Sequence, residues 1–324
     1  MIQNEELLQA IQAIENRRLG HAITKLENFL LANPQLKGDM EKLLSIQNDY
    51  KLMSDYWQRG FDDPQRSRLY EQLLRRMYVL TQNVYIRYYI QNSPFVSSVY
   101  RRCRSGRTDW SVTALRTDLE AYVSEVALLG LEPEHTRHQK QRAVYERHQT
   151  MMADLFDYIW TSRLWTDGVT EAFEQMLLSP TVDTADQQLL VSAITLSLLN
   201  FFGVNKFRLL MNVYMNSTDE RVRQRALVGW SLCLNSDVAR LYPEVHALVS
   251  QAADDERCRS ELAELQMQMI YCLRAESDNR IIQSEIMPDL MTSSNIRVTR
   301  NGIEEVEDDP MEDVLHPELS EQRM

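Results

Sequence analysis

Glycine is scarce and widely spaced in this chain, and this feature constrains both its fold and its chemistry. Nine glycines occur in 324 residues, well below the roughly 7% of average usage. Turns that need positive φ are therefore few, which argues against a many-stranded β fold. No two glycines share one short loop. This spacing excludes the glycine-rich loops that bind phosphates or dinucleotides, because several backbone amides must approach the anion there.

Apolar residues recur at the spacing of an amphipathic helix along nearly the whole chain. One such stripe consists of Leu69, Leu73, Met77, Leu80 and Val84. Because each stripe covers one side of its helix, that face must be buried against neighbouring helices. We therefore predict an all-α protein, an α-solenoid of about 12 helices stacked as helical hairpins. Its tryptophans and methionines are expected mainly in the core.

Residues 16–34 resemble the second half of a tetratricopeptide repeat. In the sequence Asn-Arg-Arg-Leu-Gly-His-Ala-Ile-Thr-Lys-Leu-Glu-Asn-Phe-Leu-Leu-Ala-Asn-Pro, Ala22 stands where a small residue lets two helices approach. Leu26, Phe29 and Leu30 stand on the packed face, and Pro34 closes the unit. The first helix of this region is predicted over 4–15, and long helices are predicted over 39–59 and 64–92.

Residues 217–232 are similar to the first helix of a HEAT repeat. The segment reads Ser-Thr-Asp-Glu-Arg-Val-Arg-Gln-Arg-Ala-Leu-Val-Gly-Trp-Ser-Leu, with an acidic cap, a Val-Arg pair and a small residue four positions on. The resemblance implies a buried stripe of Val222, Ala226 and Trp230. Helices are predicted over 184–201, 204–216, 220–234 and 240–251, a period of roughly 35–45 residues. Both resemblances imply an α-solenoid, and neither carries functional residues.

A short C-terminal β-hairpin is predicted over residues 296–300 and 303–307. Two alternating runs flank Asn301-Gly302, a pair that favours a two-residue type I′ turn because both positions need positive φ. An isolated hairpin is marginal in water. It must therefore pack on the helices, pair with another chain or be continued by further sequence.

These features divide the chain into five predicted regions. They are a tetratricopeptide-like and long-helix region over 1–108, long antiparallel helices over 109–178, HEAT-like repeats over 179–291, the hairpin over 292–307 and an acidic tail or linker over 308–324. Residues 317–324 resemble a helix start without a stop signal. We therefore expect the chain to be the N-terminal portion of a longer protein, and it resembles an uncharacterised bacterial group of longer tetratricopeptide-type proteins.

Charge is unevenly distributed in a chain whose net charge is −12. Residues 59–107 hold ten arginines and three acidic residues, a net of +7, whereas residues 254–324 hold eighteen acidic residues and seven arginines, a net of −11. The arginines of the basic stretch, interleaved with tyrosines, can form a solvated helix face, contact an acidic partner or the chain's own acidic end, or hold nucleic acid. The candidate partner-binding residues are Arg75, Arg76, Tyr85, Arg87, Tyr88, Arg101, Arg102 and Arg104.

No catalytic residue, cofactor site or metal site is predicted. The four cysteines show no metal-ligand spacing, and the chain contains no Gly-x-Ser-x-Gly motif. Glu134, His135 and His138, with His148 further on, could form a two-histidine-carboxylate site. Neighbouring positive charge such as Arg137 instead favours a solvated helix start. No run approaches the roughly 18 apolar residues that a membrane span needs.

The expected function is that of a cytoplasmic, non-catalytic scaffold. Stacked helices would bind a protein or peptide partner, an acidic one among the candidates. One alternative is the regulatory or N-terminal portion of a longer enzyme or complex whose active part lies beyond residue 324. Another is a nucleic-acid-associated factor that uses the Arg/Tyr region 59–107, although the overall acidity disfavours nucleic acid. The sequence does not set the oligomeric state.

Overall fold

The computed structural model describes residues 4–60, 64–105, 109–234, 240–288, 296–299 and 302–305. This part of the chain contains thirteen α-helices, against about twelve predicted. They are α1 Glu5–Glu15, α2 Leu19–Ala32, α3 Met40–Gln58, α4 Arg66–Asn92, α5 Pro94–Ser105, α6 Val112–Leu128, α7 Glu134–Trp160, α8 Asp167–Leu177, α9 Thr184–Asn200, α10 Val204–Asn216, α11 Glu220–Cys233, α12 Pro243–Asp254 and α13 Glu256–Ile281. Short 3-10 helices span Pro34–Asp39 and Leu129–Leu131, and a π-helix spans Ile282–Ile286.

The chain divides into two compact units, Met1–Asp255 and Glu256–Met324. The first unit contains α1 to α12 and all of the buried apolar side chains of the described residues except Cys258. The second contains α13, the π-helix and two short strands. The five-region division drawn from the sequence stays a prediction.

Helix ends follow local side-chain chemistry. The side chains of Asn4, Ser111, Asp183 and Asp219 accept hydrogen bonds from backbone N–H groups at the starts of α1, α6, α9 and α11. Such caps satisfy donors that have no partner within the helix. Pro243 occupies the first turn of α12, where proline's missing N–H costs nothing.

Helices α5 to α12 form two layers within the first unit. Helices α5, α7, α9 and α11 are successive neighbours in one layer, and α6, α8, α10 and α12 are successive neighbours in the other. The neighbours α8 and α10 run parallel, because Asp167 pairs with Arg208 at 2.8 Å and Glu174 accepts from Asn212 at 3.0 Å. An all-helical protein whose helices pack in this way is compatible with a helical-repeat architecture.

Helix α11 approaches α9 and α10 closely. Val222, Ala226 and Trp230 are buried on its inner side. A Cβ built at Gly229 would lie 2.4 Å from Thr195 Oγ1 on α9 and 3.3 Å from a methyl carbon of Leu210 on α10. Because Gly229 has no side chain, α11 can lie this close to α9 and α10.

The predicted C-terminal hairpin is wrong in its bounds and its turn. The two antiparallel strands are β1 Ile296–Thr299 and β2 Gly302–Glu305, and Thr299 is the partner of Gly302. Gly302 is thus a strand residue and not the second residue of an Asn301-Gly302 turn. These eight residues are the only strand residues in the described part of the chain, whose remaining elements are helical.

The register of the two strands accounts for the difference. Val298 is the partner of Ile303, and Arg297 is the partner of Glu304. The predicted turn would instead have opposed Val298 to Glu305. The acidic tail predicted over 308–324 lies outside the described residues.

Candidate functional site

The eight predicted partner-binding residues lie on α4 and α5, and most of them make contacts inside the protein. Arg75 donates through Nε to the carbonyl oxygen of Leu241 at 2.8 Å, and it pairs with Glu244 at 3.0 Å. Arg76 pairs with Asp49 at 2.6 Å. These two arginines therefore tie α4 to α12 and α3.

The two tyrosines among the predicted binding residues pack against phenylalanines, one in α2 and one directly after α9. Tyr85 is buried, and its ring meets Phe201 edge to face with centroids 5.2 Å apart. Tyr88 meets Phe29 in the same geometry at 5.3 Å. Edge-to-face aromatic pairs stabilise packing beyond the area that they bury. Both tyrosines thus help to hold α4 in place.

Two further arginines pair with carboxylates that have little exposure. Arg87 forms an ion pair with Asp39, whose side chain is 6% exposed, and burial lowers the pKa of Arg87 from its ordinary value. Arg102 forms an ion pair with Asp157 on α7. The arginine-rich pattern therefore has a structural role in this fold. Its role in binding a partner stays a prediction.

Arg104 and Arg101 are expected to differ sharply in their effects on stability. Arg104 donates to Thr161 Oγ1 at 2.9 Å, and its guanidinium lies 4.6 Å from the ring centre of Tyr158. Among the hydrogen bonds of the described residues, Arg101 reaches only Ser97, one turn earlier on α5. We expect Arg104→Glu to lower the free energy of unfolding by about 1–3 kcal/mol, and Arg101→Glu to change it by less than about 0.5 kcal/mol.

Urea denaturation followed by circular dichroism measures both variants. Equal losses for the two would show that the contacts of Arg104 with α7 contribute nothing to stability. The expected result would identify Arg101 as a position where charge can be reversed without disturbing the fold.

An exposed apolar groove lies between α3 and α4. Leu52, Tyr56 and Trp57 are each more than half exposed, and Leu69 is 43% exposed. Leu52 and Tyr56 stand one helical turn apart on α3 beside Trp57, and Leu69 lines the same groove from α4. They border a cavity of about 380 Å³, whose further lining residues are Asp49, Met53, Arg66, Gln72, Leu73 and Arg76.

A second cavity of about 240 Å³ adjoins the first and shares Met53, Trp57 and Arg66 with it. The Arg66 guanidinium lies 5.4 Å from the Trp57 ring centre. None of the ion pairs between described residues involves Arg66. At the other end of the groove, Arg76 and Asp49 neutralise each other. The groove thus combines apolar and aromatic walls with a cation, Arg66, that has no carboxylate partner among the described residues.

Reasoning from the sequence missed this groove because helical register assigns tryptophans to the core. Trp230 follows that rule, whereas Trp57 does not. A signal was present in α3, which carries apolar residues on more than one side. Leu43 and Ile46 are buried, and Leu52 continues the apolar surface on an exposed side. A helix with two apolar faces needs a second partner surface.

The predicted histidine cluster does not form a metal centre in the described part of the chain, where no three His, Cys, Asp or Glu side chains are arranged to hold an ion. In the same residues, no helix has the length and hydropathy needed to cross a bilayer. His148 lies apart from the cluster and bonds Asp186 on α9.

Comparison with known proteins gives this chain no relative. It matches no family model, no curated protein and no solved structure.

Proposed function

We propose that this protein is a non-catalytic interaction module that binds an apolar segment of a partner protein in the α3–α4 groove. The observation that carries the proposal is the exposure of Leu52, Tyr56 and Trp57 around one cavity beside Arg66. Exposed apolar patches with polar rims are typical of protein-binding surfaces. Tryptophan, tyrosine and arginine also dominate binding energy at interfaces.

The proposed occupant is a short segment with apolar anchors and at least one acidic residue. A cavity of about 380 Å³ suits a few side chains of a peptide. Arg66 supplies the positive charge, and its position over Trp57 keeps a carboxylate partner next to the apolar anchors. Charged hydrogen bonds between guanidinium and carboxylate add geometric specificity.

The wider framework of the proposal is a cytoplasmic scaffold related in design to tetratricopeptide and HEAT repeats. Stacked helices offer an extended surface that binds peptides without chemistry. The four cysteines are free thiols, which is the usual state in a reducing compartment.

Selection from a library of random 12-residue peptides tests the proposed function. We expect selected peptides to share two or more large apolar residues three or four positions apart, together with an acidic residue, because a helical peptide then presents them on one face. Trp57→Ala should weaken the binding of the selected peptides at least tenfold, which corresponds to about 1.4 kcal/mol of binding free energy. Fluorescence anisotropy with a labelled peptide measures the affinities.

Leu52 and Leu31 form a matched pair of controls. Both leucines are 60% exposed, but Leu31 lies on α2 and does not line the groove. Leu52→Ala should therefore weaken binding, and Leu31→Ala should leave it unchanged. Equal binding by all variants would refute the groove as the site. A dimer in sedimentation that Leu52→Ala dissociates and Leu31→Ala does not would assign the groove to a second copy instead.

A further inference from the structure

We propose that a second surface, the exposed seam between α9 and α11, binds an amphipathic helix of a partner protein that carries an acidic residue on its apolar face. The seam lies outside the α3–α4 groove, so either proposal can fail without the other. Four aliphatic side chains define it. Leu196 and Leu199 on α9 are 44% and 47% exposed, and Val228 and Leu232 on α11 are 37% and 45% exposed.

Helices α9 and α11 run parallel to each other. Thr184 Oγ1, at the start of α9, lies 3.4 Å from Asp219 Oδ2, at the start of α11. About two turns further along both helices, Arg225 of α11 donates to Ser192 Oγ of α9 at 2.9 Å. Because Arg225 is exposed, this second contact lies on the outer side of the helix pair.

The four aliphatic side chains form one apolar strip. Leu199 and Leu232 follow the hydrogen-bonded serine and arginine by seven residues each, which is close to two full turns. They therefore leave their helices on the same sides as that pair, and the parallel register places them beside each other. Leu196 and Val228 stand about one turn earlier on the same exposed sides. A contiguous exposed apolar strip marks an interaction surface, whereas isolated exposed leucines are common.

The charge of the seam favours an acidic partner. None of the ion pairs between described residues involves Arg225. The only acidic residue of α9, Asp186, is buried, and the only one of α11, Glu220, pairs with Arg223. In a chain whose net charge is −12, the seam thus carries a positive charge without a carboxylate from either helix. A carboxylate of the partner would form a charged hydrogen bond with this guanidinium.

The spacing along the seam describes the partner helix. Arg225 and Leu232 are about 10 Å apart along the helix axis, because each of the seven residues between them adds a rise of roughly 1.5 Å. A carboxylate and a leucine seven positions apart on a partner helix span the same distance and share one face. Apolar residues three and four positions from the carboxylate then lie on the strip, which is the usual pattern of a helix that docks by its apolar side.

Two helical peptides built on alanine and glutamine test this chemistry on the whole chain. Both carry leucines three, four and seven positions after one charged residue, which is glutamate in the first peptide and lysine in the second. We expect saturable binding of the glutamate peptide by calorimetry, about tenfold tighter than that of the lysine peptide. Arg225→Glu should reverse this preference. Arg101→Glu should leave it unchanged, because Arg101 also donates to a serine but lies on α5.

The absence of saturable binding by the glutamate peptide overturns the proposal, and so does equal binding of the two peptides. Trp57→Ala locates the bound peptide, because this substitution alters the α3–α4 groove and leaves the seam intact. We expect it to have no effect on the affinity of the glutamate peptide. Loss of binding in this variant would place the peptide in the groove and would likewise overturn the proposal.

Leu232 and Leu44 provide a matched pair of variants. They are 45% and 43% exposed, but Leu44 lies on α3 and lines neither cavity of the groove. Leu232→Ala should weaken the glutamate peptide by about fivefold, and Leu44→Ala should not. Urea denaturation should show similar losses of stability for both, which excludes unfolding as the cause. Equal binding by the two variants, or a dimer in sedimentation that only Leu232→Ala dissociates, would contradict a partner helix at the seam.

Discussion

Replacement of Lys206 by methionine is expected to raise the free energy of unfolding near neutral pH. The unmodified protein should also become more stable as the pH rises above 7, and the methionine variant should lack this increase. The amino group of Lys206 is buried in α10 and donates to Ser162 Oγ at 2.8 Å and Ser197 Oγ at 2.7 Å. It also lies 4.9 Å from the ring centre of Trp165. None of these partners is a carboxylate. Burial without a counter-charge lowers the pKa of Lys206 to about 7, from 10.5.

The direction of the pH effect follows from proton binding. Between pH 7 and 10.5, the unfolded chain carries a proton on Lys206 that the folded protein does not. Stability therefore rises with pH in this window and is lower by a constant amount below pH 7. The full rise is roughly 3–5 kcal/mol. Methionine has a similar shape and no charge, so the variant lacks this rise.

The measurement is the free energy of unfolding in urea at intervals from pH 6 to 10, for the unmodified protein and Lys206→Met. The difference between the two curves isolates Lys206. This subtraction matters because burial raises the pKa of Cys233 to about 12, which lowers stability in alkali in both proteins. Lys51→Met, at an exposed lysine, controls for the loss of one charge. A difference that stays constant from pH 7 to 10 would show that Lys206 is charged in the folded protein.

Gly229→Ala is expected to destabilise the protein by about 1–3 kcal/mol, the usual cost of overpacking a tight interface. Helix propensity alone gives the opposite sign, since alanine is favoured over glycine in a helix by about 1 kcal/mol. The close approach of α11 to α9 decides the outcome. The added Cβ would lie 2.4 Å from Thr195 Oγ1, and that hydroxyl is held by a 2.8 Å hydrogen bond to the Val191 carbonyl.

Two further substitutions test that explanation by urea denaturation. Gly168→Ala, in α8, has open space around the new Cβ, so we expect no loss of stability. Thr195→Ala removes the oxygen that the new methyl group meets, so the double variant with Gly229→Ala should recover at least about 1 kcal/mol. If the effects of the two substitutions simply add, contact with Thr195 is not the cause.

Several helices could be predicted from the sequence to within one or two residues, although the one predicted over 240–251 is Pro243–Asp254. The candidate sites could not be predicted in this way. The helix predicted over 204–216 is Val204–Asn216, and the one predicted over 184–201 is Thr184–Asn200. Caps and apolar periodicity involve residues only a few positions apart, so both can be recognised in a short stretch of sequence. The partners of Lys206 are nine and 44 residues away, and no local pattern brings them together.

The candidate sites depend on which faces of the helices stay uncovered. Trp57 and Trp230 both lie in helices with apolar stripes, but one is exposed and the other is buried. Likewise, Arg101 and Arg104 share one basic run, but only Arg104 reaches α7. Sequence reasoning grouped these residues by type. Their environments differ because neighbouring helices cover one member of each pair.

By itself, the sequence determined the helical class, the positions of several helices and the exclusion of glycine-rich phosphate loops. Hydrogen bonds within a helix join residues four positions apart, and caps act within one turn, so short stretches encode them. Only the tertiary structure decided which arginines pair inside the protein, which apolar faces form a groove and what an alanine at Gly229 would meet. Those properties depend on contacts between residues far apart in the chain, whose geometry arises when the helices pack.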